Sequence, residues 1–408
     1  MTGMTAMRED PGAIIPEILL IAGAIASLLI GLFLPRRRQW LIAVLAAAVL
    51  VAAIAAGAVA ATRPARVVFG QSYAIDTVLG AGRLIVLTAA LTLCLSVEQV
   101  RGHKRETEYF VLVLLGTLGV IVLTGASDLL LLVAGYLLAS VPLYALTAFA
   151  KDTLGTEAAL KYYLIGALAG IVMLFGVMVL YGLGSATGYA ALGPGLEGAA
   201  PAALAVAITA VLAGLSFKLG AVPVHFWVPD ITAGAPLPVA TFVTTVPKIG
   251  GLLAAYRLLD LVIPTTRVDW PLLVAVVATA SMTLGNLAAF WQTSPRRLLA
   301  YPTISQVGYL LIGVAAAPAS DLALRGVLFY AAAYAATNLG AFAVVLELPR
   351  PPPRRLRRPG PPPAPARARP HHLPARLHRH PHRHLRRQAQ PLRRRDRQRP
   401  GLAGDRGD

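Results

Sequence analysis

Three lysines and one histidine carry the chemistry that could move protons in this chain. Lys218 lies in the apolar run GLSFKLG, Lys248 directly follows Pro247 in TTVPKIG, and His225 stands between them in VPVHFWVPD. A lysine at membrane depth costs about 2.5–3.5 kcal/mol on insertion scales. Burial disfavours its charged form and a nearby carboxylate restores it, so a change of neighbour or hydration can load or release a proton. Histidine titrates near neutrality and can relay one. A third lysine, Lys161, follows Glu157 by four residues in TEAALKYYLIG, which puts both on one helix face. Between Lys218 and Lys248 the chain is interrupted by Pro223, Pro229, Pro236 and Pro238. Proline removes a backbone bond and frees a carbonyl. In lipid such breaks are tolerated only inside protein or along a wet cavity. Two cations flanking a break therefore mark a candidate ion path.

Each of these residues also has a plainer reading. Lys218 and Lys248 can be statically paired with carbonyls that the prolines free. Glu157 and Lys161 can form an interfacial pair, with the lysine snorkelling to the headgroups. His225 can be a structural histidine bonded to a loop carbonyl. Asp230 is expected as a turn or cap residue, and Trp227 and Tyr144 as interfacial aromatics. Glycines inside the spans, such as Gly166, Gly170 and Gly176, are expected to pack helices closely. Other chemistries find no motif: there is no phosphate-binding glycine loop, no Cys/His metal spacing and no nucleophile elbow. The single Cys94 sits in an apolar run and reads as an inert small hydrophobe.

The elements that must position these groups are membrane helices. Hydrophobic residues make up 56% of the 408, well above the soluble average. Apolar runs of spanning length recur about eleven times: 14–34, 39–61, 78–97, 108–125, 127–149, 158–184, 202–221, 237–260, 270–291, 298–317 and 322–346. The expected fold class is an all-α polytopic membrane protein, with an N-terminal extramembrane segment over 1–12 and a transmembrane domain over 13–347. Arg36, Arg37 and Arg38, then Arg101, Lys104 and Arg105, then Lys151, then Arg296 and Arg297, and finally Arg350 follow odd-numbered spans. That bias puts the odd loops in the cytoplasm and the N-terminus outside.

With these residues in place, the chain resembles the antiporter-like, proton-translocating membrane subunits of respiratory complex I. The resemblance rests on FKLGAVPVHFWVPDITAGAPLPVATFVTTVPKI, supported in order by IIPEILLIAGA, DLLLLVAGYLLASVPLYAL, EAALKYYLIGALAG and RRLLAYPTISQVGYLL. It covers about residues 10–347. It implies two inverted five-helix repeats with broken helices, in agreement with discontinuous helices at transporter repeat interfaces. It implies a row of buried charges in which Lys161, Lys218 and Lys248 occupy three positions, with His225 as a relay. Quinone reduction elsewhere in the complex would drive proton transfer here, in a bacterial inner membrane. The chain would hold no flavin, iron–sulfur cluster, nicotinamide or metal, would meet quinone only indirectly, and would have other membrane subunits and lipid as partners, not nucleic acid. Subunits of cation/proton antiporters and membrane-bound hydrogenases share the central motif, and an inactive scaffold copy is a further alternative. Two departures stand out. Leu137 occupies the place of a glutamate that usually pairs with the lysine of span seven, and Asp128 lies nine residues earlier, roughly 13 Å along a helix. Gln306 stands where many relatives have a histidine.

After Glu347 the composition changes. Residues 350–408 hold eighteen Arg and three Asp, most of the chain's net charge of +18. The segment 348–408 is Pro/Arg/His-rich without apolar period and is expected to be disordered. One reading is a basic tail that binds nucleic acid or anionic lipid, and the reading favoured over it is a frame error in GC-rich DNA. Given plausible codons, His380–Ala403 shifted by one base yields TPTATFVGKLNPFAAAIDSGLAWL, which resembles the family's next membrane segment and supplies its distal lysine. The expected outcome of resequencing the gene across the codons for Leu346 to Pro370 is a missing or extra base. An unchanged frame would make the basic tail genuine.

Overall fold

The computed structural model describes residues 10–94, 98 and 100–347. The expectations for the N-terminal nine residues and for the tail, including its disorder and its frame, lie outside the described residues. The described chain is helical apart from one short hairpin, and eleven of its helical stretches are long and apolar enough to cross a membrane.

The spans are α1 (Ile15–Phe33), α2 (Trp40–Ala61), α3 (Thr77–Cys94), α4 (Glu106–Gly125), α5 (Leu129–Leu138) continued by α6 (Val141–Thr147), and α7 (Thr153–Gly184). After the short surface helix α8 (Tyr189–Leu196) come α9 (Pro201–Leu219), the eight-residue α10 (Trp227–Gly234), α11 (Leu237–Val262), α12 (Trp270–Ala289), α13 (Pro295–Ala315) and α14 (Ala323–Glu347). Outer helices behave as lipid-facing ones. On α7 the side chains of Leu160, Leu164, Leu168, Ile171, Phe175 and Met178 are exposed at helical spacing. Their opposite face is lined by small residues. A Cβ at Gly176 would stand 2.6 Å from the Ala207 carbonyl of α9, so close packing of α7 on α9 depends on that glycine, as expected.

The centre of the bundle is α11. Its most apolar window is 100% buried, against 22% for α12. It packs against α3, α4, α9, α13 and α14. A helix surrounded by protein can carry polar groups that lipid would reject, and α11 carries Lys248, Arg257 and a run of threonines.

One expected span differs. The run 127–149 is not one helix but two, parted at Ala139–Ser140. The cause is local. Pro142 has no N–H to offer Leu138, and Ser140 turns its hydroxyl back onto the Tyr136 carbonyl at 2.6 Å, a bond that competes with helical pairing. The proline was visible in the sequence.

Between α2 and α3 an antiparallel hairpin pairs β1 (Arg66–Val68) with β2 (Tyr73–Ile75). Two buried arginines that the sequence reading did not single out tie this end of the bundle together. Arg83 on α3 grips Glu17 of α1 through Nε at 2.9 Å and Nη2 at 2.7 Å, and the Tyr73 hydroxyl donates to the same carboxylate at 2.7 Å. Arg257 on α11 grips Asp76 at 2.7 and 2.8 Å and donates to the Thr124 carbonyl of α4. Burial alone would raise the Asp76 carboxyl, but the Arg257 bonds outweigh it and hold it below its ordinary value. The signal for the Arg83–Glu17 pair was a lone charge inside an otherwise apolar run on each side.

Candidate functional site

The site is built at two breaks, one after α9 and one between α5 and α6. Helix α9 ends at Leu219 because Gly220 takes a left-handed conformation, φ +68, which costs glycine little. Its N–H bonds Phe217, and the next N–H, of Ala221, bonds Ser216, the pairing of a Schellman cap. The connection to α10 is anchored where Val222 N–H meets the Ser281 hydroxyl of α12, and where the Trp227 indole donates to the Phe217 carbonyl at 3.1 Å.

Lys218 is 1% exposed. Its Nζ donates to the Ala139 carbonyl at 3.0 Å and the Ser140 Oγ at 2.5 Å. The carbonyl is free for it because Leu143 N–H, which would reach Ala139 in a continuous helix, bonds Ser140 instead. The ammonium also stands 4.8 Å from the centre of the Tyr136 ring. Among the described residues no carboxylate lies within ion-pairing distance of it. Asp128 caps α5 at its far end, accepting from Leu130 and Leu131, and Leu137 is 48% exposed, turned away from the lysine.

Lys248 is fully buried. Its Nζ donates to the Thr303 carbonyl at 2.9 Å and the Thr303 Oγ1 at 3.0 Å, on α13 one residue after Pro302. It also approaches the α9 break: a Cβ at Gly220 would lie 3.4 Å from Lys248 Nζ. In return, a Cβ at Gly251 of α11 would lie 3.0 Å from Lys218 Cβ. The two lysines thus border one α9–α11 contact. One turn back from Lys248, the Tyr334 hydroxyl of α14 donates to the Thr244 carbonyl, and Asn338 Nδ2 donates to Thr245 Oγ1 at 2.6 Å. Gln306 accepts from the Tyr330 hydroxyl. None of these α14 groups was anticipated. Their only sequence signal was polarity within a span.

Lys161 is placed differently. It is ion-paired to Glu157 at 2.8 Å and to Asp230 at 3.0 Å, and its side chain is 45% exposed. The pairing with Glu157 follows the i, i+4 expectation. Asp230, expected as a turn or cap residue, lies inside α10 and bridges Lys161 to Arg297. Between this surface cluster and Lys218 stands an aromatic wall. Tyr162 stacks on Phe217 with centroids 5.2 Å apart and meets Trp227 at 4.8 Å and Tyr144 at 5.1 Å. Trp227, expected at the interface, is 1% exposed, because its indole N–H caps a carbonyl at the break. Tyr144 joins the same wall. His225 is buried beside Phe226, and its Nδ1 has no partner among the described residues.

Residues 126–356 match the family described as NADH:quinone oxidoreductase/Mrp antiporter, TM. The chain is 55% identical over 341 residues to NADH-quinone oxidoreductase subunit N 1 of Streptomyces griseus, covering 83% of this chain and 72% of that one. It is similar in structure to a chain of respiratory complex I from Thermus thermophilus, with a TM-score of 0.70 at 32% identity over 81% of this chain and 70% of that chain. A chain of the Mrp complex from Dietzia sp. shares the fold, with a TM-score of 0.68 at 23% identity over 82% of this chain and 63% of that chain.

At Gly220 a side chain would meet both a left-handed backbone and Val228 Cγ2 at 2.7 Å. Gly220→Ala is expected to lower the stability of the detergent-solubilised chain by about 1–2 kcal/mol. Gly182→Ala, where a Cβ meets nothing within 4 Å, should leave it unchanged or raise it by up to about 1 kcal/mol. Thermal unfolding of both variants checks this, and equal effects would remove the special demand placed on Gly220.

Proposed function

This chain belongs to the NADH:quinone oxidoreductase/Mrp antiporter membrane family, and on that footing we propose that it is a proton-translocating membrane subunit of an NADH-quinone oxidoreductase. Quinone reduction takes place elsewhere in the complex. This subunit holds no redox group and passes protons through Lys218 and Lys248, with Lys161 at one end of the row and His225 as a relay. Its partners are the other membrane subunits and the lipid of a bacterial inner membrane.

One observation carries the reading: two lysines are buried beside the break after α9 and, among the described residues, are held by neutral oxygens and a ring. A lysine kept for structure alone gains little over a neutral residue at this depth, since its burial is costly. A lysine held by carbonyl and hydroxyl oxygens can give up its proton without leaving a bare carboxylate beside it. Because Lys218 and Lys248 border one contact, the charge on either disfavours the charge on the other. That favours passage of one proton at a time, each loading step easing the release from the neighbour. His225 stands near the same break, beside the Pro223 backbone, where an imidazole can relay a proton. Lys161 is paired with two carboxylates at the surface, so it serves the row as an entry or exit group.

In the assembled complex, Lys218→Ala and Lys248→Ala should each cut proton translocation at least about tenfold while the complex stays intact, and Lys161→Ala should reduce it less. Translocation is read as proton uptake by inverted vesicles during NADH oxidation, and normal uptake in Lys218→Ala would sink the row. The loop charges support an N-terminus outside. A cysteine introduced at Arg37 should then label only from the cytoplasmic face, and labelling from the opposite face would reverse the orientation.

A further inference from the structure

Lys218 is a buried cation with no carboxylate within ion-pairing distance among the described residues, and buried charge persists only when something offsets its lost hydration. Three neutral features converge on its Nζ. The Ala139 carbonyl lies just beyond the C-terminal end of α5, where unpaired carbonyls leave a partial negative charge. The Ser140 hydroxyl donates to Tyr136 O, which leaves its lone pairs for the ammonium. The Tyr136 ring offers its face, with Nζ 4.8 Å from the centroid, well within cation–π range. The Phe217 ring is farther, at 5.8 Å. The Tyr136 hydroxyl points elsewhere, donating to the Gly166 carbonyl of α7 at 3.2 Å. The titratable groups facing this corner are Tyr136 and Tyr144 from the fifth span, Tyr162 from α7 and Lys248 from α11.

We propose that the ring face of Tyr136 is the counter-charge of Lys218, which makes Tyr136 a positioning residue for proton transfer at this lysine. The proposal rests on the proton-translocating role given above. It has a chemical consequence. A carboxylate partner is itself a base and competes for the proton it stabilises. A π face stabilises the ammonium but cannot take its proton. A proton leaving Lys218 therefore has no acceptor in its own cage and must move on to a relay or to the next lysine. The residue four positions from the Ser140 break, inside an apolar run, thus does electrostatic work usually assigned to an acid.

The test uses the assembled complex and the pH dependence of its proton translocation. Tyr136→Phe keeps the face and loses only the hydroxyl, and should retain wild-type translocation and pH profile. Trifluorophenylalanine at the same position has nearly the size of phenylalanine with its π face neutralised. Losing a favourable contact with the cation lowers the proton affinity of Lys218, so the alkaline limb of the profile should move to lower pH, by about half to one unit. Tyr136→Leu should move it the same way. If the leucine variant fails to assemble, the fluorinated ring decides, because it fills the same space. A fluorinated variant whose profile coincides with that of Tyr136→Phe overturns the proposal. Lys218→Ala, measured alongside, separates the two levels: normal translocation there defeats the row itself, whereas its loss together with a flat fluorination series defeats only the role of the ring.

Discussion

Everything at the centre of this protein follows from holding a lysine ammonium deep among protein groups with, among the described residues, no acid within ion-pairing distance. An ammonium has three donors and no acceptor, so it needs oxygens, and in a continuous helix every carbonyl is already used. For Lys218 the chain meets this by interrupting its fifth span. Pro142 and Ser140 open that span beneath the lysine, whereas Lys248 takes the Thr303 carbonyl and hydroxyl inside α13, one residue after Pro302. The break between α5 and α6 and Lys218 act together, since the break frees the carbonyl that the lysine holds.

That device needs a rigid surround, and the packing supplies it through small and aromatic residues. A Cβ at Gly119 of α4 would sit 2.3 Å from the Ala139 nitrogen, so only glycine lets α4 lie against the break that serves Lys218. Tyr162, Phe217 and Trp227 close the side toward α7 and α10. The surrounded helix, α11, meets Asn338 and Tyr334 on one stretch and Asp76 through Arg257 on another. The conventional ion pairs, Arg83–Glu17 and Arg257–Asp76, involve the hairpin or the α3 entry. They lock the fold, whereas Lys218 and Lys248 are left with neutral partners.

Much of this was legible in the sequence because its causes are local. Eleven runs of apolar residues reach spanning length, and the same number of helical stretches is found. The break after Lys218 follows from four prolines in sixteen residues, and the Glu157–Lys161 pair from helical spacing. Where the reading fell short, the cause was distance along the chain. Nothing near Trp227 says that its indole will cap Phe217. Asp230 reads as a turn residue until α7 and α13 bring Lys161 and Arg297 to it.

Sequence by itself thus determined the spans, the break after Lys218 and the presence of two lysines at depth, because hydrophobic length, proline chemistry and helical period act within a few residues. Tertiary structure alone decided which lysines are buried together and what holds them. Lys218 finds Ser140 across 78 residues and Lys248 finds Thr303 across 55, while Lys161 remains at the surface with its carboxylates. Burial and partner choice depend on which helices meet, and no local pattern encodes the face of a tyrosine ring that a lysine from another span will reach.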